Sequence, residues 1–206
     1  MTTTTERLLD TVQSLITQHH TIYRRLPPQG IYFEALMERA FDLCEAPGQI
    51  IEQGQVTAPS YDVLVGRERL SLKTETGRGT NPSFIKITKL CTTEREPWTA
   101  EVLITRVIDH LSRYDRMLML RAIWGGGQAF FRYQFVEVPL TLLLLISTVT
   151  LAPVGKLRER RSLAGNVRDK EGVAFRVSFD GADGKCVISA LPMTRCSVLR
   201  QWEQRV

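Results

Sequence analysis

Apolar residues recur with helical spacing at Leu8, Leu9, Val12, Leu15, Ile16 and Ile22, which predicts a helix over Leu8–Tyr23 with one packed face. Leu26-Pro27-Pro28-Gln29-Gly30 ends it, because proline cannot continue the hydrogen-bond ladder and pushes the residue before it toward extended geometry. A second helix is predicted over Ile31–Glu45, with Phe33, Leu36, Met37, Ala40, Phe41 and Cys44 as its stripe and Ala46-Pro47-Gly48 as its stop. The period then changes to two. Between Ser60 and Gly77, two short alternating runs flank Gly66-Arg67, the pattern of a β-hairpin whose register is set by its turn.

Phe84–Leu90 is expected to be another short strand. Thr92 to Pro97 supplies a helix start before the amphipathic run Trp98–Tyr114. Met117–Trp124 is apolar and of strand length, so its expected place is a central strand, and Tyr133–Val138 alternates again after a glycine break. Leu140–Leu151 fits helix or buried strand, with leucine richness favouring helix. Lys156 to Lys170 is expected to be basic and irregular. Val173–Phe179 and Cys186–Leu191 make a second hairpin across residues 180–184, and Met193–Val206 is mixed, with Trp202 as its anchor. This order predicts an α/β (mixed α+β) fold with a central mixed β-sheet flanked by helices.

A chain of 206 residues suits one domain with a single sizeable core. Lys and Arg number 27 against 22 Asp and Glu, and the resulting +5 favours a polyanionic partner. Cys44, Cys91, Cys186 and Cys196 show no zinc spacing, which fits reduced thiols in the cytoplasm and no structural zinc. The first residues lack the layout of a secretory signal, and the longest apolar stretch, Pro139–Pro153, is shorter than the roughly 20 residues needed to cross a bilayer. No membrane association is expected. His19, His20 and His110 complete no zinc site and suit surface or capping roles. No nucleophile elbow, Walker loop or Rossmann fingerprint occurs.

The first hairpin carries the candidate chemistry. A two-residue turn at Gly66-Arg67 makes Val65 face Glu68 and places Asp62 opposite Ser71. Lys73 then shares the face of Ser71, and Glu75 joins it if the strand continues. A carboxylate there would hold a divalent cation, with an ammonium group beside the attacking water or the scissile phosphate. On the second helix Glu34 lies at the edge of the apolar stripe, near the angular position of Phe41, within reach of a partly covered site, whereas Glu38 points further out.

Over roughly residues 31–124 the chain resembles the PD-(D/E)XK nucleases, type II restriction endonucleases in particular. Asp62 matches that family's acid and Lys73 its lysine, after a helix bearing Glu34. Ser60-Tyr61 stands where the family often has proline before the aspartate, and Pro59 is displaced. Ser71 departs from the pattern, since the family usually places an acid there. The resemblance implies Mg²⁺ as cofactor, and Mg²⁺ wants one or two carboxylates with water and phosphate oxygens. Glu34 and Glu75 are the first candidates for the missing carboxylate, ahead of Glu101 on the following helix.

The resemblance further implies a restriction-endonuclease-like single domain over 1–206, with a core near 31–124 and a strand-rich extension, 125–206, available for DNA recognition or dimerisation. The expected activity is Mg²⁺-dependent hydrolysis of double-stranded DNA at a short site by a homodimer. A strand-nicking nuclease of the mismatch-repair type and a catalytically inactive DNA-binding protein are the alternatives. Arg78, Asn81, Lys86, Lys89 and Arg95 follow the hairpin and are candidate DNA contacts, with a second basic patch between Lys156 and Lys170.

Overall fold

The computed structural model describes residues 5–45, 48–50, 62–93, 97–125, 130–155 and 161–205. They form two compact units, one from Met1–Thr80, Arg113–Val138 and Cys196–Val206, the other from Asn81–Ser112 and Pro139–Arg195.

In the first unit, the Thr5 hydroxyl accepts a hydrogen bond from the Leu8 amide at 3.2 Å and so starts helix α1, Glu6–Ile22. Its apolar stripe is buried at Leu8, Leu9, Val12 and Ile16. At the other end His20 is buried, which the expectation of a surface or capping role met only in part. Its Nδ1–H donates to the carbonyls of Tyr23 (3.2 Å) and Arg24 (3.0 Å), and its Nε2 accepts from the Tyr133 hydroxyl at 2.7 Å. The ring therefore caps the helix while sitting in the core. Burial holds its pKa below the ordinary 6.5. Helix α2, Ile31–Leu43, buries Phe33, Met37, Ala40 and Phe41, as its spacing requires.

These helices cover one face of a six-stranded sheet. Its strands are β1 (Gly48–Ile50), β2 (Val63–Val65), β3 (Glu68–Glu75), β5 (Arg116–Gly125), β6 (Phe130–Val138) and β11 (Ser197–Arg205), adjacent in that order. Only β3 and β5 run parallel, joined through a connection long enough to contain a strand and a helix. Leu70, Leu72, Leu118, Leu120, Ala122, Phe131, Tyr133 and Phe135 join the helix stripes in one core. By alternation Ser71, Lys73, Glu75, Met119 and Arg121 point to the opposite face. The mixed sheet flanked by helices is the fold class the order of elements predicts.

The second unit holds an antiparallel sheet in the order β4 (Phe84–Ile87), β10 (Cys186–Pro192), β9 (Gly172–Phe179), β8 (Ser162–Asp169) and β7 (Ala152–Val154). Helix α3, Ala100–Leu111, is started by the Thr99 hydroxyl and buries Leu103, Val107 and Leu111. Leu140–Leu151 resolves into a short helix α4, Leu140–Leu143, and a 3-10 turn, Leu144–Thr148, as its leucines favoured.

Three expectations need correction. Most of the stretch taken as irregular, up to Lys170, is β8, where Ala164 and Val167 are buried and Asn166 and Arg168 are exposed. A Cβ at Gly165 would collide with the Thr150 carbonyl, so the glycine serves close backbone approach and is no sign of a loop. The C-terminal segment is a nine-residue strand paired with β6, and Trp202 stacks on Tyr133 at 5.1 Å. Strand β1 was not anticipated. Among the described residues no helix is long and apolar enough to cross a membrane.

Candidate active site

The hairpin register is the one its turn predicts. Val65 pairs with Glu68, Leu64 with Arg69 and Val63 with Leu70. Gly66 takes φ 61° in the first turn position, the region open to glycine, while Arg67 stays out of it, as in the II′ turn that matches strand twist. One residue further back, the Asp62 amide donates to the Leu70 carbonyl at 3.0 Å. Strand β2 begins at Val63, and the Asp62 side chain just before it reaches along β3, which continues to Glu75. Its Oδ2 accepts from the Leu72 amide at 2.6 Å, the Ser71 hydroxyl at 3.3 Å and Lys73 Nζ at 3.3 Å. Ser71 is fully buried, and the Asp62 and Lys73 side chains keep only 15% and 17% of their exposure. Ser71 therefore orients the acid beside it. Three donors converge on one oxygen, and among the described residues none reaches Oδ1.

Glu34 stands in the first turn of α2, half-buried. Its pKa is raised, first by burial and then by the negative charge of Asp62, with Lys73 opposing. The three charges therefore act on one another, although they come from a helix, the end of a strand and the middle of the next. Asp62 and Lys73 balance. Ionised Glu34 leaves the group with one negative charge, and burial, more than the neighbouring Asp62 charge, is what raises its pKa.

A hard divalent cation fits this set. The Asp62 and Glu34 carboxylates offer hard oxygen donors, and Mg²⁺ characteristically takes one or two carboxylates and completes its shell with water and phosphate. Among the described residues no group of three or more His, Cys, Asp or Glu side chains that could hold a metal ion is assembled.

No family model and no solved structure matches the chain. A curated relative does. The type II restriction enzyme SmaI of Serratia marcescens is 30% identical over 194 residues, covering 92% of this chain and 76% of the relative. The chain belongs to the type II restriction enzyme family.

For this restriction-enzyme chain, the remaining candidates fall into different places. Glu75 continues the face of Lys73, as alternation requires, but Arg121 Nε donates to its Oε2 at 2.8 Å. Glu101 lies exposed in the first turn of α3, in the second unit. Of the candidate DNA contacts, Arg78 is exposed in the first unit with its guanidinium 5.5 Å above the Trp124 ring. Asn81, Lys86 and Lys89 are exposed in the second unit, where Asn81 Oδ1 accepts from the Ser83 amide. Arg95, Ser60, Tyr61 and Pro59 lie outside the described residues, as do Lys156, Arg158 and Arg160 of the second basic patch. Arg168 and Lys170 are exposed at the end of β8 and just past it.

Arg121 is the functional candidate that pattern reasoning passed over. It is fully buried, and its Nη1 also donates to Gln134 Oε1 at 2.7 Å. The signal was present: it is the one charged residue in Met117–Trp124, and a charge inside an apolar strand requires a partner.

Proposed function

We propose that this protein is a Mg²⁺-dependent type II restriction endonuclease of the PD-(D/E)XK kind, hydrolysing phosphodiester bonds of double-stranded DNA at a short specific site. The observation that carries this is the Asp62–Lys73 pair, held with Ser71 at the end of the hairpin in a chain 30% identical to a type II restriction enzyme. Glu34 of α2, whose carboxyl senses the charges of Asp62 and Lys73, is proposed to supply the carboxylate that Ser71 lacks. Asp62 and Glu34 are the residues that would hold the ion. Mg²⁺ at such a site supplies Lewis acidity toward a phosphate oxygen and makes a nearby water more acidic.

The chain's own groups do the rest. The Leu72 amide and the Ser71 hydroxyl fix Asp62 Oδ2, so the carboxylate does not rotate and Oδ1 keeps one direction. A bound cation would favour the ionised form of Glu34, against the burial and the Asp62 charge that raise its pKa. Lys73 orients the attacking water or neutralises charge building on the phosphate in the transition state, a role suited to a pre-placed ammonium in a partly desolvated site. Arg78, Asn81, Lys86, Lys89 and Arg95 are proposed to follow the DNA backbone, and the active species is proposed to be a cytoplasmic homodimer whose two-fold axis matches a palindromic site.

The test is to incubate the purified protein with phage DNA and Mg²⁺ and to sequence the ends of the fragments. Discrete fragments ending within one short palindrome are expected. DNA that stays intact with Mg²⁺ and with Mn²⁺ would overturn the assignment, and open circles alone from supercoiled plasmid would assign a nickase.

A further inference from the structure

Glu75 and Lys73 lie two residues apart on one strand and one face, about 6.6 Å along β3. A free carboxylate at that spacing would compete with Asp62 for the Lys73 ammonium. It would also offer a divalent cation one more ligand. Strand β5 answers with an arginine: Arg121 is the register partner of Glu75 on one side and of Gln134 on the other. Its side chain has no solvent exposure, and that of Glu75 keeps 10%. Arg121 Nε donates to Glu75 Oε2 at 2.8 Å, Arg121 Nη1 donates to Gln134 Oε1 at 2.7 Å, and Gln134 Nε2 donates to Gln201 Oε1 at 3.0 Å. The chain of bonds crosses four strands, β3, β5, β6 and β11, and ends at an exposed residue of the edge strand.

A guanidinium is permanently charged and its planar fork holds a carboxylate in one orientation. Gln134 fixes the fork in turn, because its amide oxygen accepts from Arg121 while its amide nitrogen donates to Gln201. The flip state of Gln134 is thereby determined, since the opposite flip would set an N–H against the guanidinium.

From this geometry we infer that Arg121 is a positioning residue which withdraws Glu75 from the cation site, so that among the described residues Asp62 and Glu34 set its ligand number and Lys73 stays paired with Asp62. The inference rests on the proposed Mg²⁺ site and goes beyond it. It assigns a positioning role to a buried residue outside the proposed ligand set.

The test uses Mn²⁺ alone as probe, counted by the electron paramagnetic resonance of the free ion, on the full chain and three variants. Wild type is expected to bind one ion per chain. Arg121→Met should bind a second ion or bind the first at least about tenfold more tightly, because a freed carboxylate adds to the ligand charge. Glu75→Gln should bind Mn²⁺ like wild type, and the Glu75→Gln/Arg121→Met pair should return to the wild-type count. A purely structural Arg121 would lower the melting temperature of Arg121→Met and leave its Mn²⁺ count and affinity unchanged. That result overturns the inference, as does a tenfold loss of Mn²⁺ affinity in Glu75→Gln, which would make Glu75 a ligand. If Arg121→Met does not fold, Glu75→Gln decides by that same criterion. Wild type without any Mn²⁺ binding would overturn the Mg²⁺ site itself, an outcome distinct from the others.

Discussion

Two polar clusters sit two residues apart on strand β3, and they handle charge in opposite ways. Around Glu75 the charge is paired within the sheet: buried Arg121 donates to the carboxylate, Gln134 accepts from Arg121, and Gln201 accepts from Gln134. Around Asp62 it is left open. Lys73 balances Asp62, and Glu34 adds a carboxyl whose pKa is pushed up first by burial and then by the Asp62 charge. The closed cluster reads as scaffold and the open one as chemistry. Position on the face does not separate them, since Lys73 and Glu75 share it. What separates them is whether the neighbouring strand supplies a counter-charge.

The largest expected effect is at Lys73. Lys73→Ala should lower the single-turnover cleavage rate by about a hundredfold to a thousandfold, the usual cost of removing one transition-state donor. DNA binding measured without divalent ions should stay within a few-fold. A variant that still cuts at the wild-type rate would move the chemistry away from the open cluster.

Glu34→Gln sharpens the contrast, because it should lose cleavage and gain stability. A carboxyl with a raised pKa contributes stability at pH below its unfolded-state value, and that contribution is lost as pH rises through the folded value. Metal-free Glu34→Gln should therefore melt higher than wild type at pH 8, with the gap closing toward pH 4. A gap that stays the same at both pH values would deny that the fold raises the Glu34 pKa.

Arg121→Met probes the closed side. Leaving the Glu75 carboxylate buried without its partner should cost about 3–5 kcal/mol in chemical denaturation, and Glu75→Gln/Arg121→Met should recover much of it. A loss below about 1 kcal/mol would mean the cluster is not closed.

The smallest effect is expected at the exposed Arg69–Asp115 pair, 2.9 Å apart with both side chains 40% exposed. Arg69 holds the Asp115 carboxyl below the ordinary range, so its contribution is present above that range and lost as pH falls through the lowered value. Asp115→Asn should change stability by no more than about 1 kcal/mol and leave cleavage unaltered.

The open cluster was largely legible in the sequence because local rules fix it. Gly66 sets a two-residue turn, the turn sets the register, and the register places Asp62 opposite Ser71 and beside Lys73. Helical phase put Glu34 at the edge of its stripe. Neither rule chooses between Glu34 and Glu75, because that choice depends on β5, whose pairing with β3 is remote in sequence. Met117–Trp124 looked uniformly apolar, and its single arginine was lost among methionines and leucines. The end of the chain was obscured for a similar reason. Strand β11 is polar on its outer face, and only pairing with β6 and the stacking of Trp202 on Tyr133 reveal it as a strand.

The most direct measurement compares single-turnover cleavage of a duplex carrying the recognition site by Glu34→Gln and Glu75→Gln at saturating Mg²⁺. The charge difference between the clusters predicts that Glu34→Gln loses more than about a hundredfold, beyond the usual cost of disturbing a ligand's support, while Glu75→Gln stays within about tenfold of wild type. The reverse order would contradict it and make Glu75 the ligand.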